Sequence, residues 1–494
     1  MSVTASPSPD ISKSELIKKL FSFLSLESVL YEPEDLKPYE CDGLSAYRNL
    51  PWLVVLPDTI EQVQNIVKLC QEFKVPVVAR GAGTGLSGGA LPHSQGVLLG
   101  LGKFSKILHV DPETLTATVQ PGVRNLAISQ AANTFGLYYA PDPSSQIACS
   151  IGGNVAENSG GVHCLKYGLT VHNIQQLKIV TIDGELLTVG SLGMDSAGLD
   201  LLALMTGSEG MLGIIVEVTV KLLPKPEQAK VILAAFDDVV KAGQAVGNII
   251  AEGIIPAGLE MMDKLAIQAA EDFVHAGYPR EAEAILLCEI DGNEIEVSDH
   301  IKQVTHVLIN SGATETRVAK DEAERLTFWK GRKAAFPAVG RLAPDYYCMD
   351  GTIPRKQLPL VLKTIADLSK EYKLPVANVF HAGDGNLHPL ILYDANVDGE
   401  LKRTEEFGGK ILEFCVKVGG TITGEHGVGM EKIDQMCVQF SSPELNQFHA
   451  IKAAFDPDAL LNPGKAVPTL HRCAEFGAMH IHKGNLPFPE LDRF

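Results

Sequence analysis

The sequence predicts an α+β protein of two domains, on three observations. Its 494 residues exceed what one hydrophobic core ordinarily supports. The proline-rich stretch Leu223-Pro224-Lys225-Pro226 separates a glycine-dense first part from a second part in which short strands alternate with amphipathic helices. In that second part the strands are joined by helices and hairpin-type turns, which favours an antiparallel sheet. The expected divisions are a helical and connecting segment over 1–50, a cofactor domain over 51–226, a substrate and metal domain over 227–470 and a tail over 471–494.

Composition narrows the function. A net charge of −18, spread along the chain, disfavours nucleic acid and anionic membrane surfaces, which both require basic patches. No apolar run reaches spanning length, so no transmembrane segment is expected. The Ser/Pro-rich start, Met1 to Asp10, has neither the basic nor the apolar region of a secretory signal. Nine cysteines without a Cys-x-x-Cys pair read as reduced, mostly buried thiols of a cytoplasmic protein, and carry no iron–sulfur ligation pattern.

Taken in order, Ser12-x-x-Glu15 is a capping box opening an amphipathic helix through Leu24, and Asp58-x-x-Glu61 opens a second with Val63, Ile66, Val67 and Cys70 on one face. A strand over Val75–Ala79 then runs into Arg80-Gly81-Ala82-Gly83-Thr84-Gly85-Leu86-Ser87-Gly88-Gly89. Gly83, Gly85 and Gly88 match a dinucleotide fingerprint, but that fingerprint needs a helix beginning at its third glycine. Pro92 and Gly96 forbid one, so nicotinamide-type binding is rejected and an anion-cradling loop remains. Three more glycine-rich loops are expected beside strands: Ser150-Ile-Gly152-Gly153-Asn154, Asn158-Ser-Gly160-Gly161, and Gly207-Ser-Glu209-Gly210 leading to Ile215. Glycine at this density costs conformational entropy and suits a backbone that wraps a large phosphorylated cofactor. Asp183-Gly184 predicts a hairpin between strands Ile174–Ile182 and Glu185–Val189.

Beyond Val231, a strand to Phe236 precedes a helix over Asp237–Glu252. A strand at Ala284–Ile290 precedes a helix over Glu294–Ser311, and further helices follow at Asp321–Phe336 and Pro354–Tyr372. The apolar runs Pro375–Phe380 and Leu387–Tyr393 then flank a Gly-Asp-Gly-Asn turn, a hairpin with His381 and His388 at its two ends. Downstream, Gly424-Glu425-His426-Gly427 offers a carboxylate and a third imidazole. Two histidines and a glutamate form an open metal set, leaving His426 available as a base. His471, Cys473, His480 and His482 in the tail match no standard ligand spacing.

Together these motifs resemble the FAD-linked oxidoreductases of the vanillyl-alcohol oxidase/p-cresol methylhydroxylase fold, within them the 2-hydroxyacid dehydrogenase branch and the flavin subunits of glycolate oxidases. The resemblance implies that Arg80-Gly81-Ala82-Gly83-Thr84-Gly85, Pro141, Gly152, Gly153, Asn158, Gly161, Glu209, Gly210, Ile215 and Asn462 contact FAD. It implies His381, His388 and Glu425 as ligands of a divalent metal, with zinc expected, His426 as general base, and Arg332 as the clamp for a substrate carboxylate. No histidine lies between Arg80 and Gly89, so the FAD is expected to be non-covalent. Relatives acting on D-2-hydroxyglutarate carry an Asn where this chain has Leu390, and a Lys near Tyr347-Cys348-Met349. Both departures favour a small 2-hydroxyacid, glycolate oxidised to glyoxylate or, as the alternative, D-lactate. Companion flavin and iron–sulfur subunits, or a quinone at the inner face of the membrane, are the implied electron acceptors. An inactive flavin-binding subunit and a flavin-free zinc hydrolase are the other function classes.

Overall fold

The computed structural model describes residues 9–193, 197–469 and 472–473. Up to Lys221 the chain builds two sheets. A four-stranded sheet contains the parallel strands Leu53–Val55, Val97–Gly100 and Val77–Arg80, edged by the antiparallel Val29–Leu30. A five-stranded antiparallel sheet is ordered Ile107–Asp111, Thr116–Val119, Ile214–Lys221, Ile174–Val180, Leu186–Gly190. The predicted hairpin at Asp183-Gly184 joins its last two strands, with Gly184 at φ 72° supplying the left-handed turn.

The first helix is Lys13–Leu20, ending four residues before the expected Leu24, and of the expected capping box the Ser12 side chain accepts from the Glu15 N–H. The second begins one residue later than expected. Thr59, not Asp58, accepts the N-terminal N–H of Gln62, and the helix runs Ile60–Glu72. A larger difference concerns the second glycine-rich stretch, which is a helix, Ile151–Glu157, rather than a loop. Its glycines serve close packing: a Cβ on Gly152 would stand 2.6 Å from Cβ of Pro121. No helix follows Gly85–Gly89, and the next element is the strand Val97–Gly100, as the rejection of a nicotinamide fold requires.

From Gln228 the chain forms a seven-stranded antiparallel sheet ordered Glu315–Val318, Gln228–Phe236, Ala284–Gly292, Gly258–Asp263, Val376–Phe380, Pro389–Tyr393, Asp345–Cys348. The apolar run Val231–Phe236 shows why this sheet is buried on both sides. Ile232, Ala234 and Phe236 join one core, while Val231, Leu233 and Ala235 join the other. The period-2 alternation of a strand thus feeds two hydrophobic layers. Helices Val239–Ala251, Glu294–Asn310, Leu358–Tyr372 and Glu400–Lys417 cover the first layer, and Lys264–Val274 and Glu322–Lys333 the second. Full burial of each large aliphatic or aromatic side chain contributes on the order of 1.5–3 kcal/mol over leaving it in water.

The segment after Phe455, expected to close the second domain, returns to the first. Leu460 and Leu461 lie in the core beneath helix Ile60–Glu72, and Asn462 N–H donates to Val77 O at 2.8 Å. The reading of all cysteines as free thiols also needs correction. Cys437 and Cys473 are joined as a disulfide; of the rest, six are buried and Cys41 is partly exposed. The tail histidines His471, His480 and His482 lie outside the described residues.

Candidate active site

A cavity of about 540 Å³ lies where the glycine-rich loops meet the seven-stranded sheet, and His381, His388, Glu425 and His426 line it together with Arg80–Gly85. That volume is in the range of small-molecule and cofactor sites. Gly152, Gly153, Glu209, Gly210 and Ile215 also line it, as expected. A Cβ on Gly85 or Gly210 would meet nothing within 4 Å, so these two positions leave room a ligand can occupy.

Four expected contacts fall elsewhere. Asn462 is buried, and its Nδ2 donates to Gly89 O (2.9 Å) and Glu209 O (2.6 Å). It braces the loops rather than facing the cavity. Asn158, at φ 53°, turns the chain after helix Ile151–Glu157 and accepts from the Val171 N–H. Gly161 packs against the Asp142 backbone, where a Cβ would come within 2.5 Å. Pro141 lies just outside, while Pro143, Ser144 and Ser145 line the wall.

The metal-type residues converge. Asn378–Val376 pairs with Pro389–Ile391, and the connection His381–His388 folds so that the two rings stand 5.0 Å apart, edge to face. Nε2 of His388 lies 2.9 Å from Oε1 of Glu425, Nε2 of His381 3.3 Å and Nε2 of His426 3.7 Å. Neither His388 Nε2 nor Glu425 Oε2 makes a hydrogen bond, although both atoms are buried. Orphaned donors and acceptors of this kind call for a ligand. Donor atoms of Asp350, His388, Glu425 and His426 all fall within 4.8 Å of one another. The structural cluster therefore includes Asp350 and His426, while His381 joins through Glu425.

Asp350 is already engaged. Fully buried, it accepts the N–H groups of Gly424 (3.1 Å), Glu425 (3.2 Å) and His426 (2.9 Å), and the hydroxyl of Thr423 (2.5 Å). Lys432 Nζ stands 3.7 Å away. Asp350 thus sets the backbone that presents Glu425 and His426, a role sequence reasoning missed. An Asp-Gly step ending an apolar strand was its only signal.

Charge follows from these contacts. Burial alone would raise the Glu425 pKa, but His381 and His388 hold it well below the ordinary carboxylate range. Burial pushes His426 down to about 4 despite the pull of Asp350, so its imidazole is neutral at neutral pH. Burial likewise opposes the charging of His381, but Glu260 and Glu425 raise it well above its usual value.

Arg332, expected as the carboxylate clamp, does not line the cavity. It is fully buried on helix Glu322–Lys333, with Nη2 in an ion pair 2.6 Å from Oε2 of Glu260 and with none of Nε, Nη1 and Nη2 in a hydrogen bond. Its neighbour Lys333 does line the cavity, beside Phe336 and Pro337. Leu390, by contrast, lies wholly in the apolar core.

Residues 51–190 match the model of the FAD binding domain, and residues 225–466 that of the FAD linked oxidases, C-terminal domain. The chain is 66% identical over 486 residues to the glycolate oxidase subunit GlcD of Escherichia coli strain K12, covering 98% of this chain and 97% of that one. It is 40% identical to the subunit of the same name in Bacillus subtilis strain 168, over 86% of this chain and 91% of the other. A D-lactate dehydrogenase of Anaerostipes hadrus is 34% identical, over 91% and 97%. Substrate-bound p-cresol methylhydroxylase shares the fold, with a TM-score of 0.78 at 19% identity over 93% of this chain and 97% of that one. The chain belongs to the FAD-linked oxidases, flavin-dependent oxidoreductases on the two-domain fold of p-cresol methylhydroxylase.

Proposed function

We propose that this protein is the flavin-bearing subunit of a glycolate oxidase, converting glycolate to glyoxylate. The observation that carries the reading is the single cavity shared by the glycine-rich loops and the His381–His388–Glu425–His426 cluster. The high identity to proteins named glycolate oxidase subunits supports this substrate over D-lactate, whose named dehydrogenases are more distant.

When bound, FAD supplies a two-electron hydride acceptor and a divalent metal, zinc by the nitrogen-rich donor set, supplies a Lewis acid for the substrate hydroxyl. His381, His388 and Glu425 would hold the metal; two imidazole nitrogens and a buried carboxylate oxygen fit such an ion. FAD would be held without a covalent bond along Arg80–Gly85, Gly152, Gly153 and Glu209–Gly210. His426, whose imidazole is neutral at neutral pH, takes the hydroxyl proton at Nε2, which stands beyond hydrogen-bond distance of Glu425. General base catalysis of this kind is worth roughly 10²–10⁴ in rate. Arg332, which lies behind the cavity wall, is assigned the substrate carboxylate because none of its buried guanidinium nitrogens makes a hydrogen bond within the protein; Lys333, on the wall itself, is its rival. Phe336 and Pro337 give the wall beside His388 apolar surface, which suits a small acid better than a bulkier polar one.

Electrons would pass to companion subunits or a quinone, since the chain has no iron–sulfur ligation pattern. Among the described residues no helix is long and apolar enough to cross a membrane. The test of the carboxylate assignment is KM. Arg332→Lys should raise the glycolate KM more than about tenfold, and Lys333→Ala should raise it less; the opposite order would transfer the clamp to Lys333.

A further inference from the structure

Glu260 interrupts the strand Gly258–Asp263, whose other central residues Leu259, Met261 and Met262 are all core. A lone carboxylate with 1% side-chain exposure persists there only if both its oxygens are answered. They are answered by two different parts of the site. Oε1 is 2.8 Å from Nδ1 of His381, which follows the neighbouring strand directly; Met261 pairs with Phe380 across that ladder. Oε2 is 2.6 Å from Nη2 of Arg332.

The reach of Arg332 depends on close packing of its helix. A Cβ on Gly331 would stand 2.5 Å from the Tyr278 hydroxyl and 2.7 Å from Ala276. Glycine there lets helix Glu322–Lys333 approach until its guanidinium meets the strand. Trp329 and Phe328 of the same helix fill the core beside it.

We propose that Glu260 is a positioning residue that couples the two halves of the substrate site, and this rests on the metal reading given above. Accepting the Nδ1 hydrogen fixes the His381 ring and leaves Nε2, on the Glu425 side, as the atom that would bind the metal. The ion pair at Nη2 orients the guanidinium, which keeps its hydrogen-bond donors available for an anion. A single carboxylate thereby fixes the separation between the metal end and the carboxylate end of a 2-hydroxyacid. Among the described residues His388 has no carboxylate at Nδ1, which lies 3.9 Å from Cys348 Sγ. His381 is thus the histidine held in place by charge.

The experiment uses the full chain with FAD, reconstituted with Zn²⁺ and separately with Co²⁺. Chelator competition measures Zn²⁺ affinity, and the visible Co²⁺ bands report ligand geometry. Glu260→Gln keeps shape and an acceptor oxygen while removing the charge. It should weaken Zn²⁺ by about 10–100-fold, the range for outer partners of metal-bound histidines. It should also shift the Co²⁺ bands and raise glycolate KM, with FAD content retained. Glu260→Asp, which restores the charge at shorter reach, should recover part of the Zn²⁺ affinity. Because Glu260→Ala leaves Arg332 buried and uncompensated, it serves only as a folding control. FAD-loaded Glu260→Gln with wild-type Zn²⁺ affinity and Co²⁺ bands would overturn the proposal. A wild-type protein that binds no stoichiometric Zn²⁺ or Co²⁺ would instead overturn the metal reading, and the proposal with it.

Discussion

At the scale of single residues, the site is an arrangement of unspent donors and acceptors around Glu425. His426 is the group whose loss should separate binding from chemistry. His426→Ala should leave FAD and metal bound and slow anaerobic flavin reduction by roughly 10²–10⁴; a wild-type reduction rate in stopped flow would remove it as the base. Asp350 illustrates a different dependence. Its carboxylate gathers three successive N–H groups, so Asp350→Ala leaves them without their acceptor and releases the loop carrying Glu425 and His426, while Lys432 keeps Glu431 at 2.9 Å. A loss in unfolding free energy of about 1–3 kcal/mol for each buried donor left unsatisfied is expected, together with loss of metal by elemental analysis. The residues legible in the sequence were those with unusual chemistry in a motif, His381, His388, Glu425 and His426. Glu260 and Asp350 were not, because each is an ordinary acid whose partners come from segments distant in sequence.

At the scale of elements, glycine-rich stretches differ in kind although they look alike in sequence. The stretch Arg80–Gly89 is a loop, with Gly83 at φ 70°, because Pro92 and Gly96 prevent a helix. Ile151–Glu157 is a helix, and its Ile151 N–H and Gly152 N–H donate to Val123 O and Pro121 O, docking its first turn on the turn that follows strand Thr116–Val119. Local propensity could not distinguish these; tertiary packing did. A filled-cavity variant tests the loop's purpose. Gly85→Val places a side chain into open space at a residue without left-handed φ. It should lower the flavin-to-protein absorbance ratio of purified protein severalfold while changing apoprotein Tm little. Full flavin occupancy would remove this loop from the cofactor's cradle.

At the scale of the whole molecule, the antiparallel character of the second part was legible, because alternating apolar runs and turns carry their own period. The return of Leu460–Asn462 to the first part was not, since no local pattern announces a contact nearly 400 positions away. The contacts between the two parts include one titratable bridge. His163 lies between Asp142, at 2.9 Å, and Glu289, at 3.1 Å, and Glu289 also meets Arg325 and the Trp329 indole. Burial works against its charge, but the two carboxylates raise it to about 10. A raised pKa means stability that is complete below the unfolded value near 6.5 and is lost as pH rises toward 10. Tm should therefore fall across that window by more in the wild type than in His163→Gln. Parallel curves for the two proteins would show that the bridge contributes nothing.

The central claim is that one cavity brings a 2-hydroxyacid, a His base and a flavin together. Anaerobic addition of glycolate to the FAD-loaded protein, followed at the flavin absorption band, tests it most directly. The account predicts rapid bleaching by glycolate, slower bleaching by D-lactate, and little by D-2-hydroxyglutarate. A band left unchanged by all three acids, or bleached fastest by D-2-hydroxyglutarate, would contradict it.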